Sequence, residues 1–291
     1  MHVIENNWLK VTIAELGAEM RNVLHKKNGL SYMWTGDSTY WGRVSPVLFP
    51  IVGRLKDNQY QLDGQTYELP QHGFLRDVVF QVAEQKDDSI SFVCESAGRF
   101  AAVYPYEFKV TIQYILQEAS LQIRWEVENQ NEEKMYFSIG GHPAFRIPLL
   151  ENEQAGDYTL QMTASAGKQV HQYELKDALI AGKCTVKSLE AITIAPSLFA
   201  GDALVYDNIN TVTMTNASHH GVKVTLSGFP FVGIWSKYNE SDGTMAPFVC
   251  IEPWYGIADT YETSGNMKEK LGVNVLEAGE TFQSEYIIAF Q

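Results

Sequence analysis

The sequence predicts an all-β fold, a single large antiparallel β-sandwich, from three observations. Apolar and polar residues alternate with a period of two, most cleanly over Leu121–Glu128, which is the pattern of a half-buried strand. Many short candidate strands recur between turn residues, as in sandwiches and barrels. No β–α–β alternation is visible, so a dinucleotide-binding fold is excluded.

The elements follow in order. Leu9–Ile13 reads as a strand. Tyr60-Gln61-Leu62 and Gln65-Thr66-Tyr67 flank Asp63-Gly64, a dipeptide that tolerates the positive φ angles of a type I′ hairpin turn. Val78–Ala83 and Ser89–Cys94 read as the next strands. Phe108, Val110, Ile112 and Tyr114 alternate with Lys109, Thr111 and Gln113, and Gln117–Ser120 joins this run to Leu121–Glu128 as a second hairpin. Met135–Ile139, Ala203–Tyr206, Thr211–Met214, Val222–Leu226, Phe231–Trp235 and Glu285–Phe290 complete the strands. A helix is expected only over Tyr173–Ile180, and a turn at Asp37–Trp41. No repeat, low-complexity tract or linker interrupts the chain, and β-sandwiches fill about 250 residues as one unit. Residues 1–291 therefore read as one domain.

Composition narrows the function. The chain carries 22 Lys+Arg against 35 Asp+Glu, a formal net charge of −13. It lacks the basic footprint that nucleic acid or anionic lipid requires. A hydrophobic content of 45% with 12% aromatics excludes general disorder and supports a core without disulfide or metal staples. The first ten residues hold no basic-then-apolar leader, and apolar runs such as Ile287–Phe290 are far shorter than the roughly 20 residues of a membrane span. Cys94, Cys184 and Cys250 form no CxxC pair, and Cys94 and Cys250 sit in apolar runs as buried thiols do. A cytoplasmic monomer or homodimer is expected.

Four segments depart from strand grammar by setting ionisable residues beside Gly, Pro and aromatics: Phe49–Leu55, Gln71–Asp77, Gly140–Phe145 and Cys250–Gly256. Loops held by a rigid sheet are the usual place for binding groups. His142 and Glu252 each precede a proline, which biases both backbones towards extended conformations. Glu252 is the most telling residue, because Phe248–Ile251 and Pro253-Trp254 make its surroundings apolar. An ionised carboxylate is costly to bury unless paired, so such groups concentrate at functional sites. Trp254 and Trp235 read either as core or as platforms for the C–H face of a sugar. His72 and His142 have a second reading as core histidines, and Arg54 and Arg76 as ion-pair partners of Asp57 and Asp77.

Other chemistries fit poorly. His72, His142, Glu252 and Asp202 offer nitrogen and oxygen ligands, but no short spacing such as HxxxH occurs among them, and no metal is expected. His219-His220 lies in a polar stretch that reads as an exposed turn. GxSxG is absent, Cys250 sits inside an apolar strand, and no phosphate-cradling glycine motif is present.

Taken together, Phe49–Leu55, His72–Asp77, Gly141–Phe145, Phe199–Tyr206 and Cys250–Gly256 resemble, in order, the motifs of the aldose 1-epimerase (galactose mutarotase) family. The closest resemblance is to its LacX-like branch, and the match covers nearly the whole chain. It implies the galactose mutarotase-like supersandwich, with the sugar in an open cleft on one sheet. It also implies interconversion of the α and β anomers of an aldose, without metal or organic cofactor. His142 matches the family's general acid and Glu252 its general base, while Arg54, His72 and Asp202 match positions that bind sugar hydroxyls. This chain has Gly141 where typical members have Asn before the catalytic His, and His72-Gly73-Phe74 where they have HGG. The run His72–Arg76 resembles the hexose-6-phosphate mutarotases, in which arginines of this region grip a phosphate; an arginine fork suits that geometry.

Ring opening of a hemiacetal removes a proton from O1 while another arrives at O5, which an acid and a base on opposite sides of the ring would accomplish. A nearby carboxylate is expected to hold His142 in its charged form, giving kcat/KM a bell-shaped pH profile whose alkaline limb belongs to His142. Two other readings remain: a non-catalytic sugar-binding protein on the same fold, and a glycosidase, although the partner of Glu252 is a His rather than a second carboxylate.

Overall fold

Two large sheets face each other across one core. The computed structural model describes Met1–Gln291, the side chain of Lys183 aside. The nine-stranded sheet runs, by hydrogen-bonded neighbours, Ile192–Thr193, Tyr158–Ala164, Ile209–Asn216, Gly221–Thr225, Thr281–Phe290, Ser120–Asn129, Phe108–Gln117, Ser89–Glu95 and Gln81–Gln85. The second runs Leu179–Val186, His171–Lys176, Leu204–Asp207, Phe231–Trp235, Phe248–Tyr255, Ile139–Gly141 and Val47–Leu48, with Ala144–Arg146 added against Phe248–Tyr255. The ladders of both sheets are antiparallel. Side chains from both inner faces fill the space between them, among them Ile112, Ile123 and Trp125 from one and Val232, Val249 and Ile251 from the other. This is the expected β-sandwich.

The two sequence-read hairpins form as expected. Asp63 and Gly64 have φ of 50° and 80° between paired strands Gln59–Leu62 and Gln65–Glu68. Phe108–Gln117 pairs with Ser120–Asn129 in continuous register, closing at Ser120↔Gln117. The expected turn at Asp37–Trp41 is present: the backbone N–H of Trp41 donates to the Asp37 carbonyl at 2.9 Å. Cys94 and Cys250 are buried, while Cys184 is exposed.

Three expectations require correction. Tyr173–Ile180 is not a helix but a β-hairpin, His171–Lys176 against Leu179–Val186. Asp177 and Ala178 form its tip with φ of 53° and 62°. The spacing of Leu175, Leu179 and Ile180 mimics a helical face, yet pairing with Leu204–Asp207 overrides it. Val78–Ala83 begins as the exit from a 3-10 turn at Leu75–Asp77, so the strand starts later, at Gln81. Met135–Ile139 breaks at Ser138, whose N–H donates to the Pro50 carbonyl at 2.7 Å. The pieces on either side then join different sheets. Among the described residues no helix is long and apolar enough to cross a membrane.

Candidate active site

The strand Phe248–Tyr255 lies inside the second sheet and is covered on both faces, so its alternation is invisible in hydropathy. Val249 and Ile251 point into the main core. Phe248, Cys250, Glu252 and Trp254 have the opposite parity and point to the other face, where a cleft of about 370 Å³ opens. Two glycines hold Trp254 in place. A Cβ on Gly233 would lie 2.4 Å from the indole, and one on Gly140 would lie 2.8 Å from it.

His142 follows the short strand Ile139–Gly141 and is anchored by its backbone N–H, which donates to the Pro46 carbonyl at 3.0 Å. The departure at Gly141 has a steric cause. A Cβ there would sit 2.9 Å from the Tyr286 hydroxyl and 3.3 Å from Trp125, so an Asn cannot be accommodated without displacing the core.

Nε2 of His142 lies 3.2 Å from Oε2 of Glu252, with both side chains buried. The acid and base candidates are thus adjacent, not on opposite sides of a ring. Burial pushes the Glu252 carboxyl well above its usual range, and the charge of Asp202 adds to that; the Trp254 side chain opposes it. Burial also pulls His142 down, reinforced by Arg76 and Arg43 and opposed by a contact with its own backbone. The expectation of a charged His142 is therefore corrected: burial sets the direction of its shift. Burial thus favours the neutral form of both groups, an imidazole beside a carboxylic acid.

His72 stands beside them, its ring centroid 5.5 Å from that of His142 in an edge-on arrangement. Its φ of 68° places a bulky residue in the left-handed region, which costs about 1–3 kcal/mol. The Gly53 backbone N–H donates to its Nδ1 at 3.1 Å, so the ring proton belongs on Nε2. Burial, then His142, Arg76 and Arg43, keep His72 neutral. Gly73 is required next to it, because a Cβ there would overlap the Phe49 carbonyl oxygen at 2.2 Å.

All the sequence-read site residues except Arg54 line this cleft: His142, Glu252, His72, Asp202, Arg76 and Trp254. The Arg54 guanidinium instead donates to the Asn58 side chain at 3.4 Å. Asp202 sits at the rim with its carboxyl raised by desolvation, against a hydrogen bond from the Ala203 N–H. Arg76 donates to the Gln71 carbonyl at 2.6 Å, and its buried Nε has no hydrogen-bond partner. Burial first, then Arg43, lower its pKa to about 10, which leaves it charged at neutral pH.

Sequence reasoning missed the other walls. Trp41 packs on His142 with ring centroids 4.7 Å apart, and Trp235 meets the same imidazole edge-on at 5.7 Å. Arg43 pairs with Asp77 at 2.9 Å and holds positive charge near both histidines. Leu175, Ile180, Val205 and Ile257 add apolar lining to the cleft. Only Trp235 had been singled out from the sequence, and no local signal marks Trp41, which arrives from a distant turn.

The aldose 1-epimerase family model matches residues 1–288. The chain belongs to the aldose 1-epimerase family. Within reach of this membership, it is 29% identical to protein LacX of Lactococcus lactis subsp. lactis, covering 98% of this chain and 97% of that protein. It is similar to a solved galactose mutarotase related enzyme from Lactobacillus acidophilus, with 35% identity, a TM-score of 0.94, and coverage of 100% and 97% of the two chains. A solved galactose mutarotase-like protein from Lactobacillus casei shares 29% identity at a TM-score of 0.92, with full coverage of both chains. An epimerase-family chain thus carries its buried His–Glu pair at the base of a cleft of about 370 Å³.

Proposed function

We propose that this protein is an aldose 1-epimerase, an isomerase that interconverts the α and β anomers of a hexose such as galactose or glucose, or of its 6-phosphate, by general acid–base ring opening. The observation that carries the reading is the contact between His142 and Glu252 at 3.2 Å in the cleft. The ring oxygen and the anomeric hydroxyl oxygen of a hemiacetal hang from the same carbon, so adjacent groups reach both. One member of the pair takes the proton from O1 while the other gives its proton to O5. The C1–O5 bond breaks, the freed C1–C2 bond rotates, and the reverse transfers close the ring on either face. The single shared proton is conserved over the cycle, so no recharging step is needed.

Arg76, charged and lining the cleft with Arg43 behind it, supports a substrate with an anionic group such as a 6-phosphate. Trp254 supports an apolar sugar face, and His72 and Asp202 supply polar atoms for hydroxyls. The reading is tested by anomer exchange measured by saturation-transfer NMR on galactose, glucose and their 6-phosphates. Wild type accelerates exchange, Glu252→Gln does not, and Arg76→Ala loses rate selectively on the phosphorylated sugars. Exchange at full rate in Glu252→Gln would sink the mechanism, and calorimetric sugar binding without any exchange in wild type would leave a binding protein.

A further inference from the structure

Cys250 takes no part in the ring opening proposed above, yet its thiol sits beside the pair that does. Its Sγ, a ring nitrogen of His142 and a carboxylate oxygen of Glu252 all lie within 4.8 Å of one another, and all three residues are buried. The backbone explains the cluster. Cys250 and Glu252 are two residues apart on one strand and share a face, while Ala144, two residues after His142, pairs directly with Cys250. Within the cluster, Nδ1 of His142 and Oε2 of Glu252 have no hydrogen-bond partner.

We propose that His142, Cys250 and Glu252 form a binding site for a zinc-class divalent cation that blocks the cleft chemistry. Thiolate, imidazole and carboxylate are the ligand types zinc takes, at about 2.3 Å for sulfur and about 2.0–2.2 Å for nitrogen and oxygen. Ligand atoms already within 4.8 Å of one another need only draw inward to meet one ion. The mixed sulfur–nitrogen–oxygen set disfavours magnesium and calcium, which demand oxygen shells. Charge also fits: one thiolate, one carboxylate and a neutral imidazole cancel a dication, and a buried site is stable only when its charge is balanced. Binding releases the thiol proton and the Glu252 carboxyl proton to solvent. The ion then occupies the lone pairs of His142 and Glu252, two residues that line the cleft, and so blocks the proton exchange with the sugar.

Metal binding here goes beyond the epimerase reading and does not depend on it; only the inhibition does. The full chain is titrated with Co²⁺ alone at neutral pH. Wild type shows a thiolate-to-cobalt charge-transfer band that Zn²⁺ displaces. Cys250→Ala, which keeps Cys94 and Cys184, lacks the band. The same variant retains the metal-free exchange rate, and its half-inhibiting Zn²⁺ concentration rises at least about tenfold, the loss that even an outer-shell partner of a ligand typically brings. Cys250→Ser keeps the shape of the thiol and gives the same comparison if the alanine variant folds poorly. No thiolate band in wild type, an equal band in Cys250→Ala, or unchanged zinc inhibition in that variant overturns the proposal. A cobalt band in a wild type that exchanges no anomers upholds the metal site and overturns the epimerase reading instead.

Discussion

The strands Ser120–Asn129 and Phe248–Tyr255 are both interior strands of antiparallel sheets, and both carry glutamates. On the first, Arg124 meets Glu285 of the neighbouring strand at 2.7 Å, with both side chains about half exposed at 47% and 49%. On the second, Glu252 meets His142 at 3.2 Å with side chains 2% and 8% exposed. The first pair lies in solvent on its sheet's outer face. The second is desolvated, which drives the carboxyl up and the imidazole down. The difference teaches that coverage of the strand's second face, more than the distance between partners, decides whether a contact between an acid and a base is surface decoration or a pair pushed towards its neutral forms.

The largest effect expected from that contrast is catalytic. Glu252→Gln and His142→Asn should each lower anomer exchange by about 10²–10⁴-fold, the usual share of a positioned acid or base. The double variant should be little worse than either single one, because the two act as a unit. Independent, multiplying losses measured by the same NMR exchange assay would show that the groups do not share a proton.

The pH dependence follows next. Gaining a second proton requires protonating an imidazole held below its usual value near 6.5, and losing the shared proton requires ionising a carboxyl held above about 4.3. The one-proton state is therefore widened, and kcat/KM should stay flat across the range where free imidazole titrates, falling only on its outer sides. An alkaline limb near pH 6.5 would restore the charged-histidine picture. Folding carries the same sign. Glu252 binds its proton more tightly folded than unfolded, so its contribution is full below the unfolded value and is lost as pH rises through the folded one. Glu252→Gln does not titrate and keeps the His142 contribution in common. Its Tm should gain on wild type as pH rises above the unfolded carboxyl value of about 4.3, and a constant difference would mean the carboxyl is not raised.

How much of this was legible in the sequence depends on which contacts are local. The Leu121–Glu128 alternation and the Asp63-Gly64 turn are encoded by neighbouring residues, and both appear as read. Glu252 was legible because a carboxylate in an apolar run is an anomaly wherever the chain folds. The Tyr173–Ile180 hairpin was not, since its helix-like spacing is overruled by pairing with a strand about thirty residues away. Trp41 and Arg43 arrive at the site only by tertiary folding, and no nearby residue announces them. The protonation of the pair was misread for the same reason: sequence reveals the partner of His142, but burial, which reverses its charge, is a property of the assembled sheets.

A steric test lies between the two strands in size. Gly233 pairs with Glu252 in register, and a Cβ at 233 would press on the Trp254 indole at 2.4 Å. Gly233→Ala should cost about 1–3 kcal/mol, as overpacking does, and should raise KM more than it lowers kcat because the platform moves while the pair stays. An unaltered KM together with an unaltered Tm would mean that Trp254 is not held by this slot.

The smallest effect belongs to the exposed strand. Arg124→Ala removes the cross-strand contact with Glu285. Solvent screening and the entropy of ordering two long side chains leave such pairs worth about 0–1 kcal/mol. Thermal unfolding should therefore shift slightly, anomer exchange should be unchanged, and added salt should erase most of the difference between variant and wild type. A loss comparable to that of Gly233→Ala would break the comparison from the other side, because it would show that a solvated pair on an open sheet face anchors this fold as firmly as the packing around the buried one.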